Sequence, residues 1–309
     1  MNLEPSNQIN LYSLENYLIE LSKLFVNNKL PNKILFSGQK GIGKSTLSYH
    51  LINYILSNDE EFGYDLNSFK INPKNKSFKL MLNKSHPNFI LIDVNNEKKN
   101  IDINQIRNLI LSLNKSSFNN KPRFVLIDNI ELLNVNAVNA LLKVVEEPNY
   151  NINFILINNN KKILPTLKSR CLNFKIQLTS EESKSVINKI LNFDHNNLIH
   201  KDLINNYNTP GEILRLINFA NFNNINLNDF SLDQLIKKII FEKNYKKDYF
   251  IKQLIYSLIE VYFRKNISLT NIKLLNSYNY FLKKINETKL FNLDEETLFM
   301  EFEEKVLRG

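Results

Sequence analysis

The stretch Gly38-Gln-Lys-Gly-Ile-Gly-Lys44-Ser45 sets glycines, a lysine and a hydroxyl at the spacing G-x-x-x-x-G-K-[ST]. Each residue type has a chemical reason to stand there. Glycines let the backbone turn tightly, so that successive N–H groups point at one anion. A helix that starts at the loop adds its N-terminal partial positive charge. The Lys44 ammonium can reach the β- and γ-phosphates of a nucleotide, and the Ser45 hydroxyl can ligate Mg²⁺. The alternative is a plain Gly-rich turn between a strand and a helix. The flanking residues favour the loop, because an apolar run precedes it and an amphipathic run follows. Gly38, Lys40, Gly41, Gly43, Lys44, Ser45 and Thr46 are therefore the expected nucleotide-binding residues, with ATP and Mg²⁺ as the expected ligands.

A nucleotide-hydrolysing site of this kind also needs a carboxylate at the end of a neighbouring strand. Asp128 ends Phe124-Val-Leu-Ile127 and is expected to hold Mg²⁺ together with Ser45; Asp93 ends a second apolar run. The attacking water must be oriented or deprotonated as well, usually by a Glu directly after the Mg²⁺ Asp. Here that position is Asn129, which can orient a water but is a poor base. Glu131 could stand in only if the backbone carried it to the γ-phosphate; the expectation is a solvent-facing residue near a helix start. The residues thus separate two claims: ATP binding is expected, and hydrolysis by this chain alone is not.

Residues 1–178 alternate strand-like and helix-like segments. Apolar runs at 33–37, 89–93, 123–128, 152–157 and 172–178 read as buried strands, with helix patterns at 14–26, 45–56, 104–113 and 136–145. Continuous apolar strands alternating with helices predict an α/β domain with a parallel sheet covered on both faces. From Thr179 the reading is all helical, opened by the capping-box pattern Thr179-Ser-Glu-Glu182. The expected organisation is a phosphate-loop domain over 1–178, a small helical lid over 179–228 and a C-terminal helical domain over 229–309. The Asn-rich segment 221–228 is the expected linker.

Composition excludes several classes. The 309 residues hold 40 Lys+Arg against 31 Asp+Glu, for a net charge of +9, and are 43% hydrophobic, enough to build real cores. One Cys, Cys171, excludes an internal disulfide framework and a Cys-based zinc site. The absence of a long apolar run or of a basic n-region followed by an apolar one predicts a soluble, cytoplasmic protein with no membrane partner. The chain has 53 Asn but only six Gly, six Arg and three Ala. Against that bias a retained Gly, Ala or Arg is informative. Three of the Gly lie in the phosphate loop, and Ala137 and Ala140 lie in one helix pattern.

That helix carries a resemblance. Asn136-Ala-Val-Asn-Ala-Leu-Leu-Lys-Val-Val-Glu-Glu-Pro148 is similar to the NALLKxLEEP helix of bacterial clamp-loader subunits, and Ser169-Arg170-Cys171 resembles their Ser-Arg-Cys motif. His86-Pro87-Asn88 followed by Ile103-Asn-Gln-Ile-Arg107-Asn-Leu109 is similar to a stretch of the delta-prime subunits of the DNA polymerase III clamp loader, within the AAA+ family. The resemblance is close over residues 30–178. It implies an AAA+ sheet domain, a lid and a helical collar. It implies gamma/tau and delta subunits as partners, with the sliding clamp and primed DNA reached through the complex. It assigns Arg170 as an arginine finger reaching into a neighbour's ATP site, and Asn158 as a γ-phosphate sensor. Arg170 could instead cap a helix C-terminus or sit in a surface ion pair. The chain departs from gamma/tau subunits at Asn129, in lacking their four-Cys zinc module, and at Gly211, where their lid carries a nucleotide-contacting Arg. The competing readings are a self-sufficient ATPase resembling the gamma motor subunit and a passive scaffold locked on ADP.

Overall fold

The computed structural model describes residues 2–94, 100–114, 119–146, 151–194, 198–204, 208–247, 249–267, 272–291 and 293–308. Five parallel strands form one sheet: β1 (Lys33–Ser37), β2 (Phe89–Ile92), β3 (Arg123–Ile127), β4 (Ile152–Asn158) and β5 (Leu172–Lys175), in the order β2-β3-β4-β1-β5. The alternation of β1 to β4 feeds two cores, whereas β5 is mostly exposed rather than a buried strand. On one face Ile34 and Phe36 of β1, with Ile155 and Ile157 of β4, pack with α1 (Glu15–Val26) and α2 (Lys44–Leu56). On the other, Leu35, Phe154 and Leu156 pack with α4 (Ile103–Leu113) and α5 (Val135–Glu146). A short helix, α3 (Lys76–Leu82), precedes β2 and escapes the sequence reading, as does the single turn α6 (Pro165–Lys168) before β5. Both are too short for a helical period to register.

Ala137 has no exposed surface and packs in the core that α5 shares with the sheet. Asp102 opens α4 with a capping box, its side chain accepting from the Asn104 and Gln105 amides. Thr179 and Glu182 do the same for α7 (Ser180–Leu191), as the sequence predicts.

The remaining helices are α8 (Pro210–Phe222), α9 (Leu232–Phe241), α10 (Asn244–Lys247), α11 (Tyr249–Asn266), α12 (Ile272–Phe291) and α13 (Glu295–Phe302). Contacts divide the chain into two units. The first is Met1–Asn192 with Tyr207–Leu214; the second is Phe193–Asn206 with Arg215–Gly309. The reasons are local. In the first unit α7 is held by the Lys189 ammonium over the Tyr12 ring at 5.5 Å, and residue 211 is bonded to the phosphate loop. In the second, the His200 amide donates to the Leu227 carbonyl at 3.1 Å, and Lys265 pairs with Asp202. In the segment 221–228, Ile225 and Leu227 are buried. That unit's core includes Leu235, Ile236, Ile239 and Ile240 of α9, at helical spacing, and the rings of Phe263, Phe281 and Phe302.

Candidate functional site

Three adjacent strands, β3, β4 and β1, end at the same edge of the sheet, and the chain leaving each one supplies part of the site. From β1 comes the phosphate loop. Gly41 and Gly43 take positive φ of 87° and 97°, where a side chain would be strained, and Gly43 is the N-cap of α2. Lys44 and Ser45 stand in the first turn of that helix, followed by a half-buried Thr46; Lys40 is exposed on the loop. From β3 come Asp128 and Asn129, and from β4 come Asn158 and Asn159. Gly38 is bonded to the last of these strands, its amide donating to the Asn158 carbonyl at 3.2 Å.

Lys44 is buried, and its ammonium donates to the carbonyls of Gly38 at 3.0 Å and Gln39 at 2.6 Å and to the Asn159 side-chain oxygen at 2.9 Å. Burial lowers its pKa to about 8, against the pull of Asp128 and Glu131. The Ser45 hydroxyl donates a short hydrogen bond to the Asp128 carboxylate, which also accepts the Asn129 amide at 2.8 Å. Burial pushes the Asp128 carboxyl up to about 6, with a further push from Asp93, although the Ser45 bond opposes it. A hydroxyl and a carboxylate in direct contact, with a second acid nearby, form the hard-oxygen pair that Mg²⁺ takes together with phosphate oxygens and water. Among the described residues no group of three or more His, Cys, Asp and Glu side chains could hold a metal ion by itself. The residues present therefore fit Mg²⁺ brought in with a nucleotide.

The structure redraws the end of β4 beside the loop. Asn158 was the expected sensor, but its side chain closes a turn on Lys161, donating to the carbonyl at 2.9 Å and accepting from the amide at 2.8 Å. Asn159 faces Lys44 instead. Ile155 and Ile157 point toward α2, and one more step of that alternation gives 159 rather than 158. The period-two pattern of the strand carries this signal in the sequence.

Glu131 is also placed otherwise than expected. Asn129 adopts a left-handed conformation (φ 56°), and the chain then enters a 3-10 turn over Ile130–Leu132. That reversal brings Glu131 back over β4, where its carboxylate accepts from the Asn159 side-chain amide at 2.8 Å. The Asn129 side chain donates to Asp93 at 2.8 Å and accepts from Asn159 at 2.8 Å. A continuous polar chain thus runs from Asp93 through Asn129 and Asn159 to Lys44, with Glu131 as a branch. A cleft of about 900 Å³ beside β2 is lined by Glu4, Tyr49, Asp93 and Asp128 among others, but not by the phosphate loop.

Arg170 lies just after α6. Its guanidinium donates to the Thr166 carbonyl at 2.7 Å and pairs with Glu146 at 2.6 Å, and about a third of the side chain is exposed. Within the chain this is the capping and ion-pair geometry; a partner would have to draw it from Glu146. Cys171 is half-buried, and burial raises its thiol to about 11, so it is no reactive thiolate. His86 is an interior hydrogen-bonding residue, joined to Ser77 at 3.1 Å and accepting the Asn88 amide at 3.0 Å. Glu147 and Pro148, which end the NALL-like helix, lie outside the described residues, as does His195.

Gly211, at the start of α8, meets the phosphate loop. Its amide donates to the Gly41 carbonyl at 2.9 Å, and a Cβ on Gly211 would lie 2.8 Å from the Gly41 Cα.

The chain is similar to known proteins. The chain is 30% identical over 192 residues to the DNA polymerase III subunit delta' of Buchnera aphidicola subsp. Baizongia pistaciae, covering 57% of this chain and 53% of the relative. It is 30% identical over 172 residues to the DNA polymerase III subunit gamma of Buchnera aphidicola subsp. Schizaphis graminum, covering 54% and 44%. The chain thus spans about half the length of the relatives it matches. A crystal structure of a DNA polymerase III gamma subunit-related protein from Thermotoga maritima shares the fold, with a TM-score of 0.52 at 18% identity over 91% of this chain and 96% of that one. Residues 14–180, more than half of the chain, match the family described as DNA polymerase III, delta subunit, and the chain belongs to that family, within the AAA+ class.

Proposed function

We propose that this chain is a delta-prime-like subunit of the DNA polymerase III clamp loader. It binds ATP with Mg²⁺ through the phosphate loop, Ser45 and Asp128, and does not turn ATP over alone. It joins gamma/tau and delta subunits and assists loading of the sliding clamp onto primed DNA. One observation carries the reading. Lys44, Ser45 and Asp128 are assembled for a nucleotide, whereas Asn129 presents an amide where a hydrolytic site needs a base. Family membership points to the complex, and relatives named as delta' and gamma subunits point to its partners. In that complex Arg170 is the group lent to an adjacent ATP site, since its planar fork can stabilise charge on a transferring phosphoryl.

The test is reconstitution. The chain mixed with gamma/tau and delta subunits should co-elute as one complex that loads the clamp, and omission of the chain should abolish loading. Failure to co-elute with either partner counts against the proposal.

The second reading, an autonomous ATPase, is favoured by the Glu131 carboxylate beside Asn159 and by the relative named as a gamma subunit. Phosphate release by the isolated chain, compared with Lys44→Ala, separates the two. Lys44-dependent turnover of several per minute supports the second reading, and none above background supports the first.

A further inference from the structure

Asn159 presents an oxygen, not an N–H, to the phosphate loop. Its amide nitrogen has two donors, and both are directed away from the loop, to Asn129 Oδ1 and Glu131 Oε1, each at 2.8 Å. Its Oδ1 accepts from the Lys44 ammonium at 2.9 Å. The charges on either side dictate this orientation. A flipped amide would set its oxygen against the Glu131 carboxylate and its N–H groups against the Lys44 ammonium. Glu131 in turn is held over β4 by the turn that Asn129 begins, and it also lies within 3.4 Å of the Asn159 backbone amide.

A terminal phosphate offers only acceptors. An amide oxygen gives it nothing, so an Asn fixed in this sense cannot read it. Lys44 has three donors, and all three are used, on Gly38, Gln39 and Asn159. If it keeps the bond to Asn159, at most two remain for a nucleotide, and the β-phosphate common to ATP and ADP can take them. At the lid side the loop meets Gly211, whose backbone amide is already given to Gly41 and which has no side chain to add.

We infer that Glu131 locks Asn159 in the acceptor sense and so makes this site indifferent to the terminal phosphate, holding ADP about as tightly as ATP. This rests on the proposal that the loop binds nucleotide. Glu131 acts here as a positioning residue, through Asn159, and the site serves as a nucleotide-held structural element rather than a sensor of the ATP state.

Fluorescent ADP and a slowly hydrolysed fluorescent ATP analogue, titrated with Mg²⁺ into the full-length chain, measure the preference directly. The two dissociation constants should agree within about threefold. In Glu131→Gln the side chain can donate as well as accept, so the charge that opposes a turned Asn159 oxygen is gone and the neutral Asn129 oxygen alone remains against it; with the Lys44 ammonium drawn to the phosphates, Asn159 turns an N–H toward the γ-phosphate. A hydrogen bond to a charged group is worth roughly tenfold in affinity, so ATP should gain about that factor over ADP. The double variant Glu131→Gln/Asn159→Ala should lose the gain, because the reader is gone. The unaltered chain binding ATP more than about tenfold tighter than ADP overturns the inference, as does a gain that survives in the double variant, which would mean direct repulsion by Glu131. Absence of binding by either nucleotide removes the nucleotide-site proposal and this inference with it.

Discussion

The backbone amide of Gly211 donates to the carbonyl of Gly41 at 2.9 Å, joining the first turn of α8 to the middle of the phosphate loop. Both residues are glycine for a steric reason. A Cβ on Gly41 would fall 2.5 Å from the Thr209 hydroxyl, and one on Gly211 would fall 2.8 Å from the Gly41 Cα. The Arg that the resemblance places at this position in ATPase subunits could not enter without parting the two segments.

Gly211→Ala should therefore destabilise the protein, because the added methyl meets backbone that cannot rotate away. Overpacking of this kind costs about 1–3 kcal/mol. Urea denaturation of the variant should show a lowered midpoint with little change in slope. An unchanged midpoint would mean that the two segments separate freely in solution.

Asp128 should make the nucleotide-free protein less stable as pH rises. Burial lifts its carboxyl from 3.8 to about 6, so the folded state holds the proton more tightly than the unfolded chain does. Its contribution to stability is full below pH 4 and is lost as pH rises through 6. A two-unit shift corresponds to about 3 kcal/mol, but Asp128 is half-buried and solvent screens part of that, leaving about 1–2 kcal/mol. Asp128→Asn should remove this dependence, gaining stability at pH 7.5 and not at pH 4 in Mg²⁺-free buffer. Equal effects at both pH values would show that the carboxyl is not perturbed.

On the proposed nucleotide binding, Lys44 should tie affinity to pH in a higher range. Burial lowers the free protein's ammonium from 10.5 to about 8, and phosphate binding requires the charged form. Affinity for ADP should be level up to pH 7.5 and weaken by about tenfold between pH 8 and 9.5, since the proton must be regained on binding. Calorimetric titrations in buffers of different ionisation heat would register that proton uptake above pH 8. A flat profile would place the lysine's pKa well above 8. Lys44→Ala should abolish binding throughout.

Arg170→Ala should change stability by less than about 1 kcal/mol, because its pair with Glu146 is exposed. In the reconstituted complex it should leave subunit assembly intact and slow DNA-stimulated ATP hydrolysis, by up to the 10³-fold or more associated with arginine fingers. Glu146→Gln frees the guanidinium and should leave hydrolysis unchanged or faster. Hydrolysis unaffected by Arg170→Ala would leave the residue as the helix cap and surface pair that it forms within the chain.

Much of this protein can be read from residue order. The strands at 33–37, 89–92, 123–127 and 152–158 are apolar runs too short for helices, and the phosphate loop declares itself by glycine spacing in a chain with six glycines. The Asp128–Ser45 contact follows from those two facts, since a parallel sheet brings the ends of β1 and β3 to one edge. Local pattern suffices in these cases because each depends on neighbours in sequence or on one face of one element. The positions of Asn159 and Glu131 are decided only by tertiary structure. Asn158, Asn159 and Asn160 are chemically identical, and strand pairing alone selects which one turns toward α2. Glu131 reaches Asn159 because Asn129 adopts a left-handed conformation, a backbone choice that no residue spacing records. The same holds for Gly211, which appears in sequence as a missing arginine and in the fold as a contact 170 residues from Gly41 that admits no side chain.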